Sequence, residues 1–260
     1  MTLAKRVIPC LDVRGDKVVK SVRFVDTKDV GDAVLLAERY DAGGADELLF
    51  LDINASHERR RTMVAFAARV ADRIFIPFTV GGGIDSADLA AEILRVGADK
   101  VAVNSAAVRD PAIIGDLAGR FGSQATVLSI DARRNGGSWE VVIDGGRVGT
   151  GTAAVAWARD AVGRGAGEIL LNSIDRDGTK LGFDLDLVRA VADAVDVPVI
   201  ASGGASAAED FVTLFRETGA DAGLAASIFH YDELTIAQVK DALARAGIPV
   251  RPAIASSART

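Results

Sequence analysis

One cysteine and two histidines in 260 residues exclude several kinds of chemistry. A disulfide framework needs paired thiols, so Cys10 alone rules it out and fits a reducing, cytoplasmic setting. A histidine- or thiolate-rich metal site is not expected, and no cofactor is called for. Cys10 reads as a small apolar packing residue. His57 and His230 fall in segments that read as loops without an evident partner, so neither is expected to be catalytic. Trp139 and Trp157 read as hairpin and core packing. Basic excess is also missing: 30 Lys and Arg stand against 36 Asp and Glu, a formal charge of −6 with no basic block. Nucleic acid is therefore not an expected partner, and anion binding must come from local features. No apolar run reaches the length of a membrane span, and the opening "MTLAKRVIPCLDV" is too short in apolar residues for a signal peptide. No G-x-G-x-x-G follows a strand-like run, which argues against a dinucleotide site on an open sheet.

What is present is apolar: 49% of the chain, ample for a large core. Short runs that are apolar throughout recur, "RVIPCL", "ELLFLD", "IFIPFTV", "KVAVN", "ATVLSID", "EILLNS", "VPVIAS" and "AGLAAS". Strands covered on both faces of a parallel sheet look like this. Amphipathic stretches such as "DAVLLAERYDAG" and "SADLAAEILRVGA" lie between them and several end on Gly-Ala, a helix stop. Eight such units in about 250 residues predict a (β/α)8 barrel as a single domain over residues 1–250. The tail 251–260 lacks periodicity and is expected to be disordered. "RRNGGSWEVVIDGGRVGTG" reads as a hairpin inserted before the fifth helix, and "VRGDKVVKSVRFVDTKDVGD" as a mobile lid after the first strand.

The chain repeats itself. Gly82 and Gly203 are 121 residues apart, as are Gly44 and Gly165; Gly97 and Gly219 are 122 apart, and Asp12 and Asp131 are 119 apart. Matches in one order near one spacing indicate a duplication, so the barrel is expected to be two half-barrels. The first and fifth strands then face each other, with Asp12 and Asp131 at the end where barrel enzymes place their chemistry. The glycine turns "GGG" (81–83) and "GG" (203–204), each beside a small polar loop, predict two opposed anion sites. Two clamps with two carboxylates between them suit a long substrate with a phosphate at each end. Each feature also has a plainer reading, since glycines close turns and strand-end aspartates cap helices. At the opposite mouth, Arg6, Glu47, Lys100 and Glu168 open four strands. They are expected to converge as an alternating salt-bridged ring, although four unrelated surface charges would look the same in sequence.

"AKRVIPCLDV", "FTVGGGI", "GADKVAVNSAAV", "GSQATVLSID", "GAGEILLNSIDRDGTK" and "IASGGA…LAASIFH" together resemble the cyclase subunit of imidazole glycerol phosphate synthase, over the chain to about Arg251. The resemblance implies a step of histidine biosynthesis. Ammonia from a glutamine amidotransferase partner would attack the ribulosyl ketone of a formimino-linked bisphosphate, giving imidazole glycerol phosphate and aminoimidazole carboxamide ribotide. It implies Asp12 and Asp131 as the essential acids and Lys20 as a loop cation. Phosphate contacts would be Gly83, Asn104 and Ser105 on one side, and Asp177, Gly178, Gly204, Ala226 and Ser227 on the other. It places the ammonia entrance at the charged ring, with Asp99 facing the glutaminase. Two rivals stay open here: the isomerase of the preceding step, similar in fold and in its paired aspartates, and a non-catalytic phosphate-binding barrel.

Overall fold

The computed structural model describes residues 3–15, 17–22, 25–53 and 59–253. The first half of the chain runs β1 (Arg6–Arg14), β2 (Lys17–Val22), β3 (Val25–Asp32), α1 (Ala33–Ala42), β4 (Leu48–Asp52), α2 (Arg59–Ala71), β5 (Phe78–Gly81), α3 (Ala87–Arg95), β6 (Lys100–Val103), α4 (Ser105–Arg109) and α5 (Ala112–Phe121). The second runs β7 (Thr126–Asn135), β8 (Ser138–Ile143), β9 (Val148–Ala153), α6 (Ala154–Arg164), β10 (Glu168–Ser173), α7 (Leu185–Ala192), β11 (Val199–Ser202), α8 (Ala208–Glu217), β12 (Ala222–Ala225), α9 (Ser227–His230) and α10 (Ile236–Arg245). Helices and strands correspond one to one between the halves.

Eight of the strands are parallel neighbours in the order β10-β11-β12-β1-β4-β5-β6-β7, and pairing of β10 with β7 closes the cylinder. This is the (β/α)8 barrel expected from the alternation of apolar runs and amphipathic stretches. Side chains alternate in and out along each strand. The inward positions make an apolar layer of Ile8, Cys10, Leu49, Ala102, Val127, Leu170, Ile200, Ala222 and Leu224. The outward positions pack under the helices in a larger core that includes Phe50, Phe66, Phe211 and Phe229.

The stretch read as an inserted hairpin and the stretch read as a lid are both antiparallel extensions of barrel strands. β1 turns into β2 and β2 into β3; β7 turns into β8 and β8 into β9. The "DGG" turn joins β8 to β9 as expected, while the stretch predicted as a lid is its duplicate, a ladder in place of a loop. Of the tail, Arg251 is ordered, its Nε donating to Asp46 Oδ1 at 3.0 Å, and residues 254–260 lie outside the described residues. Three Gly-Ala-Asp corners fasten the strand starts: Asp46 accepts from Val7 N, Asp99 from Phe78 N and Asp221 from Val199 N, at 2.9, 2.9 and 3.2 Å. Lys240, almost fully buried in α10, adds an ion pair to Asp46 at 2.7 Å.

Candidate active site

The C-terminal mouth holds an open cavity of about 180 Å3, lined among others by Cys10, Asp12, Ser129, Asp131, Asn172, Asp177, Gly178, Gly204, Ala226 and Ser227. Asp12 and Asp131 share it because they stand where the parallel pairing of β1 and β7 gives way to antiparallel extensions, on strands that the closed barrel sets opposite each other. Their surroundings differ. Asp131 accepts from Asn172 Nδ2 at 3.0 Å and from Asn104 Nδ2 at 2.9 Å. Ser202 Oγ donates to Asn172 Oδ1 at 3.2 Å, which fixes that amide with its nitrogen toward Asp131. Burial pushes the Asp131 carboxyl above the ordinary carboxylate range; the two amide donors oppose this and the Asp177 carboxylate adds to it. Asp12 stands beside Leu51 in the ladder with β4, and Cys10 Sγ lies 4.0 Å from its Oδ1. Cys10 is thus buried in the lumen next to a carboxylate, a weak donor as well as packing.

The two glycine turns share a geometry. Gly82 and Gly83 have φ of 90° and 68°, Gly203 and Gly204 of 96° and 97°. A Cβ on Gly82 would stand 2.2 Å from Asp52 O, and one on Gly204 2.2 Å from Gly182 O, so the fold itself demands glycine there. The second turn lines the cavity together with Gly178, Ala226 and Ser227. The first does not: Gly83 and Ser105 stand outside the lining, and Ser105 Oγ accepts from Asp144 N at 3.1 Å, in the turn between β8 and β9. Asn104 faces Asp131, and its Oδ1 is buried without a hydrogen-bond partner. Lys20 stands on β2 with its backbone opposite Lys28, and its side chain lies outside the described part. His57 also lies outside the described residues.

At the other mouth four side chains meet in a closed ring. Arg6 reaches Glu47 at 2.8 Å and Glu168 at 2.6 Å; Lys100 reaches Glu47 at 2.9 Å and Glu168 at 2.7 Å. Both glutamates are buried, and Thr79 Oγ1 donates to Glu47 at 2.8 Å. The two glutamates hold the Arg6 guanidinium more basic than usual, against the opposing effect of burial. Asp99 lies outside the ring, where one carboxylate oxygen fastens Phe78.

Sequence reasoning passed over Asn172, Ser202 and Lys180, all on the cavity wall. For Asn172 a signal existed: it is the one amide within "EILLNS", and its duplicate, 121 residues earlier, is Leu51. His230 does have a partner. It is buried in α9, where Nδ1 and the Tyr40 hydroxyl are 2.5 Å apart.

A protein family described as histidine biosynthesis protein matches residues 6–235. The imidazole glycerol phosphate synthase subunit HisF of Hyphomonas neptunium is 57% identical over 249 residues, 96% of this chain and 99% of that protein. The chain belongs to the HisF family. Subunits of the same name from Synechococcus and Halalkalibacterium halodurans are 53% and 56% identical, each over 96% of this chain and their own full length. Membership brings the cyclase role in histidine biosynthesis and a catalytic, lyase-type activity, so neither the isomerase nor the non-catalytic reading is favoured. The relatives are named as subunits, which implies a partner. No helix among the described residues is long and apolar enough to cross a membrane.

Proposed function

We propose that the cavity takes a bisphosphate whose two sugar units are joined through a formimino link. Ammonia attacks its ketone, the link is cleaved and an imidazole ring closes, leaving imidazole glycerol phosphate and an aminoimidazole carboxamide ribotide. The observation that carries this reading is the pair of aspartates at opposed strand ends in one cavity, in unlike surroundings. Addition of a neutral amine to a ketone needs an acid for the developing alkoxide and a base for the nitrogen's proton. A carboxyl held neutral to higher pH suits the first task, so Asp131 is assigned the acid at the carbonyl and Asp12 the acid and base of cleavage and ring closure. Asn172 and Asn104 aim the Asp131 carboxyl.

One phosphate would lie at Gly178, Gly204, Ala226, Ser227 and Asp177, the other at Gly83, Asn104 and Ser105. Ser105 accepts its hydrogen bond from Asp144 N and so keeps its own O–H free to donate to a phosphate oxygen. Lys20 would close over the ligand. Ammonia is protonated in water and then cannot attack, so it must arrive along a dry route. Support for such a route comes from the lumen, which passes from the ring of Arg6, Glu47, Lys100 and Glu168 through one apolar layer to the aspartates. A glutamine amidotransferase would dock at that mouth, beside Asp99, as a heterodimer partner. The test is consumption of the formimino bisphosphate with ammonium salt alone and then with a glutaminase and glutamine. Turnover in neither condition overturns the reading, and turnover with ammonium alone leaves the cyclase assignment standing without the partner.

A further inference from the structure

The cavity wall carries Asp12, Asp131 and Asp177 against a single described cation, Lys180. The side chains of Asp12 and Asp177 repel a dianionic phosphate, and without a cation only backbone amides and the Ser227 hydroxyl would hold it. Lys180 is placed to change that balance. It lies seven residues after Ser173, the last residue of β10, in the turn that also bears Asp177 and Gly178, with φ of 58°, a left-handed conformation that a lysine adopts only when its surroundings impose it. The turn is fixed from several sides: Thr179 Oγ1 donates to Arg176 O, Arg176 Nη1 to Leu181 O, and Gly182 N to Gly204 O at 2.9 Å. The last bond ties the lysine's turn to the glycine clamp.

The ammonium group is held meanwhile by Glu233, whose two oxygens lie 2.7 Å from Nζ. Glu233 follows Asp232, another non-glycine residue at positive φ (55°), in the turn after α9, the short helix that Ser227 begins. Lysine and glutamate are both well exposed, at 48% and 39% of the side chain. An exposed pair of this kind contributes little stability, so a dianion can displace the carboxylate at small cost.

We infer that Lys180 is the cation of the second phosphate site and that Glu233 parks it, releasing the ammonium to the phosphate when substrate enters. The inference rests on the bisphosphate reading above and adds a residue and an exchange to it. Kinetics of Lys180→Gln, Lys180→Arg and Glu233→Gln test it, with a calorimetric titration of inorganic phosphate into each variant. Lys180→Gln is expected to raise KM about tenfold with kcat within about twofold, the loss of one charge-assisted contact, and Lys180→Arg to restore most of it. Glu233→Gln frees the lysine and is expected to lower KM and the phosphate Kd by about two- to threefold. A surface latch with no ligand role would make both glutamine variants shift together. Unchanged KM and phosphate affinity in Lys180→Gln, or KM rising in both variants, overturns the inference. If the parent protein fails to turn over the bisphosphate, the functional reading falls, while the phosphate titration still reports on Lys180 by itself.

Discussion

The two half-barrels keep the same elements and the same pair of carboxylates, and they differ in what touches those carboxylates. Asp131 has Asn172 beside it in the sheet and Asn104 reaching over from the end of β6. The matching positions around Asp12 are Leu51, 121 residues before Asn172, and Ala226, 122 after Asn104. At the opposite mouth the mates Glu47 and Glu168 are both retained. The cations come from the first half alone, since the positions that match Arg6 and Lys100 are Ala125 and Ala222. A duplication supplies two equal sites; replacing flanking residues in one copy puts the two carboxyls in unlike surroundings, which is how an acid and a base that share one reaction can be told apart.

The acids themselves are the strongest way to break the comparison. Asp131→Asn and Asp12→Asn should each lower kcat by about 10²- to 10⁴-fold with ammonium as nitrogen source, the range of general acid and base contributions. Near-parental turnover in either removes that residue from the chemistry. The charged ring comes next. Lys100→Ala leaves two buried glutamates sharing Arg6 and should cost about 3 kcal/mol in a denaturant titration. Turnover with added ammonium should survive while glutamine-dependent coupling changes, and an equal fall in both would count against a gate.

A finer test makes the second half resemble the first. Asn172→Leu removes an amide that holds the Asp131 proton affinity down, so the carboxyl should rise further. The alkaline limb of the kcat profile should then move to higher pH; a limb that stays put dissociates Asp131 from it. Stability follows the same sign. Burial raises the folded-state value of Asp131 above that of the unfolded chain, so the unfolded chain releases this proton first. Stability then falls as pH rises from about 4 through the raised folded value. Asp131→Asn should therefore melt at a higher temperature than the parent at neutral pH, with the advantage shrinking below about pH 4.

The smallest effect concerns a helix start. Asp32 caps α1, accepting from Val34 N and Leu35 N, at φ −68° and ψ 129°. Its duplicate Ala153 holds φ −69° and ψ 130° at the start of α6, with no side-chain cap. Ala153→Asp should add about 1 kcal/mol to the unfolding free energy, and a loss of stability would show that the two caps are not equivalent.

Much of this was legible in sequence because it depends on period and spacing. The apolar runs placed the barrel strands, although "IFIPFTV" yields a strand only from Phe78. Two glycine turns 121 residues apart placed the mouth, and charges at strand starts had to converge once the sheet closed. What stayed hidden depends on contacts between residues far apart in the chain. In sequence β2 and β3 look like a loop because charges interrupt "VRGDKVVKSVRFVDTKDVGD"; the duplicate hairpin after Asp131 is the signal that exposes them. His230 was read as a loop residue because only the approach of α1 gives it Tyr40. Nothing in the chain forecasts that the turn after β8 covers Ser105.

The apolar layer beneath the aspartates bears on which form of the nitrogen donor the enzyme can use. Ile8, Leu49, Val127, Leu170, Ile200 and Leu224 offer a cation no partner, and moving an ammonium ion into such a medium costs far more than moving the uncharged base. The ring below is neutral as a set, two cations against two anions, so it neither attracts nor repels an approaching ion on balance. On the proposed route the barrel interior would act as a partition filter. Delivery through it should track the uncharged fraction of the donor, and a charged solute of the same size should stop at the ring.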